Sequence, residues 1–165
     1  MTVPVVSAVR SILAALDESQ RAPLVFATAA MLARRLDAQL HLIRVIVAPP
    51  DIAPAAHTPP EEVEGLFERD ARDDLRALMN AEPLVRYAPP LVVTGDPWRQ
   101  IIESARIFDV DLIVIGSHRF HRGIDRMLGT VAAKVVNHAD RDVLVVQPRG
   151  VDRERNRKPR PQEAT

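Results

Sequence analysis

Five short, nearly unbroken apolar runs, separated by stretches of helical periodicity, constrain this chain more than any other feature. They are Ser11 to Leu16, Leu40 to Val47, Leu91 to Thr94, Leu112 to Ile115 and Val143 to Val146. A strand with one face in water alternates apolar and polar residues, whereas a strand covered on both faces reads as a continuous Val, Ile and Leu run. The segments between them have the other period. From Gln20 to Leu36, Val25, Ala29, Leu32 and Leu36 recur at helical spacing while Arg34 and Arg35 face away. Ser19 reads as the N-cap of that helix, with Pro23 tolerable near its start. A charged amphipathic helix follows over Glu61 to Asn80, with Val63, Phe67, Ala71, Leu75 and Leu78 as its stripe. Gly95-Asp96-Pro97 is a turn that opens a third helix. There Asp96 serves as cap, Pro97 takes the first helical position, and Ile101, Ala105 and Phe108 point inward. The last helix runs from Val131 to about Ala139.

The order β-α-β-α-β-α-β-α-β predicts an α/β fold, with a parallel sheet covered by helices on both faces. Right-handed crossovers narrow this to a doubly wound, five-stranded parallel sheet of strand order 3-2-1-4-5. The 165 residues fit one domain, placed at 1–148. Residues 149–165 form a basic tail without apolar periodicity, expected to be disordered. It reads as a solubilising tail or as a weak nucleic-acid or partner-binding arm. The stretch from Ala48 to Pro60 holds five prolines and reads as a long surface excursion.

Composition excludes several classes of function. Acidic and basic residues balance at 22 each, so no net field draws the chain to nucleic acid or an anionic membrane. The chain has no cysteine, which removes disulfides, thiolate metal sites and a cysteine nucleophile. No apolar run approaches the ~18 residues of a membrane span, and Met1 to Arg10 lacks a signal-peptide pattern. A cytoplasmic location is the expectation.

Ligands in doubly wound sheets sit beyond the carboxyl ends of the strands, where strand order reverses. Strands one and four flank that point, which nominates Asp17 and Gly116. After Gly116 the chain reads Ser117-His118-Arg119-Phe120-His121-Arg122-Gly123-Ile124-Asp125-Arg126-Met127-Leu128-Gly129-Thr130. Gly129-Thr130 opens a helix, whose first N–H groups are unpaired and whose dipole is positive there. Glycine admits a phosphate close to the backbone and Thr130 adds a hydroxyl. Taken singly, each of these features is more often punctuation than a site. It is their conjunction at the switch point that indicates a phosphate-bearing ligand. The competing motifs are missing: there is no G-x-x-x-x-G-K-[ST], no G-x-G-x-x-G after the first run, no H-E-x-x-H and no G-x-S-x-G. His118 and His121 find no third metal ligand at useful spacing, and no catalytic constellation is visible.

These residues resemble the universal stress protein family over about Arg10 to Gln147. The likeness rests on Asp17-Glu18-Ser19, on Asp111 to Gly116 followed by a G-x2-G-x9-G-[ST] spacing, on Gly95-Asp96-Pro97 and on Val143 to Val146. The resemblance implies a Rossmann-like fold of the adenine nucleotide alpha hydrolase type. It also implies bound ATP, with Mg2+ or Mn2+ carried mostly by the phosphates. Asp17 would then contact the nucleoside and the backbone of Val45 the base. Gly116, Gly129, Thr130 and Val131 would hold the phosphates, with Ala15, Ile115, Ser117 and Arg119 completing the nucleotide site. Pairing through Val143 to Val146 would give a homodimer.

One position departs from the family pattern, because Arg119 stands where the second glycine belongs. Arg119 either replaces a backbone phosphate contact with a guanidinium contact or folds into the pocket and blocks it. Two readings follow, beside a third, an enzyme related to other ATP-handling folds of similar topology, for which no catalytic constellation is visible. One is an ATP-binding stress adaptor with at most slow hydrolysis, since no general base or lysine clamp is evident. The other is a dimeric interaction protein of the same fold that binds no nucleotide.

Overall fold

The computed structural model describes residues 8–47, 60–117 and 128–147. Expectations for the proline-rich stretch at 48–59, for Arg119 and for the tail lie outside those residues. The elements are β1 (Ser11–Ala15), α1 (Ala22–Leu36), β2 (Gln39–Ile46), α2 (Pro60–Ala81), β3 (Leu91–Thr94), α3 (Pro97–Ile107), β4 (Leu112–Gly116), α4 (Thr130–His138) and β5 (Asp142–Val146). All five strands are parallel and lie in the order β3-β2-β1-β4-β5, as the alternation predicts.

β1 sits at the centre of the sheet, and its run is apolar for that reason. Ile12, Leu13 and Ala14 are all fully buried. Ile12 and Ala14 pack into one core with Val25, Ala29 and Ala33 of α1 and Leu75 of α2. Leu13 turns to the opposite core with Ile101 and Ala105 of α3 and Val135 of α4. The two helical pairs therefore cover the two faces of one sheet, and alternate residues of one strand enter different cores.

Several local expectations are corrected. α1 begins at Ala22, not Gln20, with Arg21 at its N-cap and no side-chain cap bond. Ser19 lies two residues before that N-cap: Asp17 Oδ1 accepts from the Ser19 N–H at 3.1 Å and from its hydroxyl at 2.6 Å, and the hydroxyl oxygen accepts from the Arg21 N–H at 3.3 Å. The Ser19 carbonyl then accepts from the Ala22 N–H at 3.0 Å. Leu36 is the last residue of its helix and lies exposed. Phe67 is 53% exposed, whereas Ala71 and Leu75 of the same stripe are buried. A helix of 22 residues spans about 33 Å, longer than the strands beside it, so helical periodicity alone does not say which turns lie over the sheet. Phe108 is the C-cap of α3 and stacks on His41 at 5.0 Å instead of entering the core. Val110 fills that core position and is fully buried. Asp96 caps α3 through position alone: its side chain makes no cap bond, and its carbonyl accepts from Arg99 and Gln100. Before it, Gly95 holds φ +147°, and a Cβ there would meet the Gln100 side chain at 3.2 Å. The turn into α3 thus requires glycine.

Candidate functional site

At the carboxyl ends of β1 and β4 the helices on the two faces diverge, because the chain leaves these adjacent strands in opposite directions. α1 follows β1 onto one face and α4 follows β4 onto the other. Between them lies a cavity of about 340 Å3, within the range typical of small-molecule sites. Its floor is the strand ends: Ala15, Leu16 and Asp17 after β1, and Ile115, Gly116 and Ser117 at β4. Ile43, Val45 and Val47 form the wall on the β2 side, with Pro97 and Ile101 of α3 beside them. Val131 of α4 and Val25 of α1 close the remaining sides.

The chemistry of these walls is divided. The β2 and α3 sides are aliphatic and suit the faces of a planar ring. The polar lining residues are Asp17, Ser19, Arg21 and Ser117, at the ends of β1 and β4 and the turn into α1. Asp17 is held in its turn by the two bonds from Ser19 described above. Ser117 is buried, and its N–H donates to the Val146 carbonyl at 3.1 Å. Arg21 Nη1 donates to the Ser117 carbonyl at 3.0 Å, which ties the start of α1 to the end of β4 across the crevice. Gly116 brings those elements close, since a Cβ at this position would stand 3.1 Å from Val25 Cγ2.

Of the residues singled out in the sequence, Ala15, Asp17, Val45, Ile115, Gly116, Ser117 and Val131 come together around this one cavity. Gly129 and Thr130 are the N-cap and first residue of α4, next to Val131 in the chain but not in the cavity wall. The N-cap residue, Gly129, has no side chain to offer, and among the described residues no side chain caps the first N–H groups of α4. Sequence reasoning missed Leu16, Ser19, Arg21, Val25, Ile43, Val47, Pro97 and Ile101. Val47 and Ile43 could have been found from Val45, because alternate residues of a strand share a face. Arg21 carries no periodic signal, since its direction is set by the turn after Asp17. Among the described residues no three His, Asp or Glu side chains group to hold a metal ion. No described helix is long and apolar enough to cross a membrane.

A doubly wound parallel sheet with a cavity at its switch point defines a Rossmann-like fold class. Within that class the chain belongs to the universal stress protein family, whose model matches residues 8–147. Universal stress protein A homolog 1 of Coxiella burnetii is 33% identical over 139 residues, covering 83% of this chain and 95% of the relative. A universal stress protein solved in complex with cAMP is 23% identical with a TM-score of 0.60, covering 86% of this chain and 98% of that one. The universal stress protein of Archaeoglobus fulgidus in complex with dAMP is 22% identical with a TM-score of 0.58, covering 84% and 98%. Both solved structures share the fold.

Proposed function

We propose that the chain binds an adenine nucleotide, ATP in the first instance, in the cavity between β1 and β4, and that it acts as a stress-response adaptor whose surface answers to occupancy. The observation that carries this reading is the polarity of the cavity. Aliphatic residues of β2 and α3 line the same cavity as the polar Asp17, Ser19, Arg21 and Ser117, and Val131 in the first turn of α4 lines it too. An adenosine phosphate has the matching parts: planar ring, ribose, anion. Family members with cAMP and dAMP bound support an adenine ring. In this reading Val45 backs the base and Asp17 accepts from the ribose hydroxyls. Ala15 and Ile115 floor the pocket, Gly116 and Ser117 border the phosphates, and Gly129, Thr130 and Val131 offer them N–H groups. A divalent ion would travel on the phosphates, because the described lining supplies Asp17 as its one carboxylate. Such an ion screens phosphate charge, and the residues named here orient the nucleotide. Hydrolysis, if it occurs, is slow, as the described lining contains no histidine or lysine to move a proton or clamp a γ-phosphate.

β5 is an edge strand with Leu144 36% exposed, and Val136 of α4 is 44% exposed. That apolar edge favours self-association through Val143 to Val146. It is also the surface through which the protein would act were the cavity to hold no ligand. Equilibrium dialysis with AMP and ATP tests the nucleotide reading. The expected result is one saturable site per chain at which the two compete. No binding of either, by protein first shown to be nucleotide-free, contradicts it.

A further inference from the structure

We propose that Arg21 is a specificity-determining residue of this cavity, reading the phosphate charge and so favouring nucleotides over the neutral nucleoside. The inference rests on the nucleotide reading above and adds a residue that the glycine motif does not contain. Charge on the cavity wall carries the argument. Among the described lining residues, Asp17 is the one acidic side chain and Arg21 the one basic side chain. A phosphate entering the cavity is an anion, and a guanidinium on the wall is the group that attracts it and fits its oxygens. Arg21 lies in the turn into α1, among the polar lining residues. Its Nη1 is fixed at 3.0 Å from the carbonyl of Ser117, the residue directly after Gly116. That places the guanidinium beside the end of β4, where the phosphates would lie in this reading.

The bond to Ser117 also fixes the side chain before any ligand arrives, so less rotamer freedom is lost on binding. A guanidinium carries donors beyond the one that Ser117 takes, in a planar fork that fits phosphate oxygens. The Arg21 backbone is at the N-cap of α1, and the helix does not use the side chain as a cap. The guanidinium therefore does not serve the fold as the helix cap, and among the described residues its one hydrogen bond is the crossing to Ser117.

The test is binding of adenosine and of AMP by wild type, Arg21→Gln and Arg21→Lys, each checked for folding by circular dichroism and thermal midpoint. Loss of a charge-assisted contact should weaken AMP by roughly tenfold or more in Arg21→Gln and leave adenosine within about twofold. Arg21→Lys should recover part of the AMP affinity, because it keeps the charge and loses the fork. Equal weakening of adenosine and AMP would overturn the inference, since Arg21 would then be a strut that shapes the whole cavity. Unchanged AMP binding in Arg21→Gln would overturn it as well. If wild type binds neither compound, the nucleotide reading itself has failed and this inference falls with it. If wild type binds adenosine and AMP equally, the nucleoside site stands and the role of Arg21 is refuted.

Discussion

The crevice between β1 and β4 has two ends, and the protein treats them differently. At the amino ends of these strands the crevice is stitched shut. Asp111 Oδ2 accepts from the backbone N–H groups of Arg10 at 2.8 Å and Ser11 at 3.0 Å, and the Asp111 N–H donates to the Ser11 carbonyl at 2.9 Å. Beside it, Arg141 Nη1 donates to Asp109 Oδ1 at 3.1 Å and to the Val110 carbonyl at 2.7 Å. At the carboxyl ends the same two strands part around a cavity of about 340 Å3. One side-chain bond, from Arg21 to Ser117, crosses there among the described residues. A crevice between divergent helices must either satisfy its strand-end polar groups internally or leave them for a ligand. Among the described residues several bonds tie the first end and one side-chain bond crosses the second beside the cavity, so substitutions at the two ends should separate stability from binding.

The largest stability effect is expected at the closed end. Asp111→Ala removes the acceptor of two backbone N–H groups and should lower stability by about 1–2 kcal/mol, moderated because the rim is open to water. That corresponds to a fall in thermal midpoint of a few degrees, about 2–8 °C for a chain of this size. Nucleotide affinity of the folded protein should stay unchanged. A weakened affinity would show that the two ends are coupled and break the comparison.

At the open end the reverse is expected. Val131→Glu sets a carboxylate in the first turn of α4, on the cavity wall. Acidic residues suit a helix start and contribute about 0.3–1 kcal/mol there, so the midpoint should hold or rise slightly. The same charge opposes phosphate, and ATP affinity should fall by roughly tenfold or more. Titration calorimetry measures the second effect and a thermal melt the first.

A smaller effect sharpens the picture on the α3 face. Burial against Phe108 holds the His41 pKa below its ordinary value of 6.5. The folded state therefore disfavours protonated His41, and the unfolded chain takes up the proton first. Stability from neutral His41 is complete above pH 6.5 and declines as pH falls from there toward the folded-state value. His41→Gln should flatten the fall in stability below pH 6.5 relative to wild type, as followed by urea unfolding across that interval. Identical pH profiles for the two proteins would contradict the assignment.

How much of this was legible in the sequence depends on whether a residue's direction follows from a period. The strand order and the two-sided burial of Ile12, Leu13 and Ala14 were readable because an unbroken apolar run admits few environments. Asp17 and Gly116 were readable because topology alone nominates strand ends at a reversal. Ser19 was misplaced as the N-cap because the cap falls two residues later, at Arg21, whose N–H donates to the Ser19 hydroxyl in the preceding turn. Phe67 was misjudged because a helix periodicity says which residues share a face but not how far the sheet beneath extends. Arg21 was passed over because a residue at a helix boundary belongs to neither period. Gly129 and Thr130 were placed rightly at the start of α4, yet it is Val131 one residue further that reaches the cavity wall.

The most direct test of the central claim is the thermal midpoint of wild type and Val131→Glu with and without millimolar Mg-ATP. A ligand that binds only the folded state adds about 2.7 kcal/mol at one hundred times its Kd. A rise in the wild-type midpoint, absent or much reduced in Val131→Glu, is the result this account predicts. No rise in wild type that starts free of nucleotide, or an equal rise in both proteins, would contradict it.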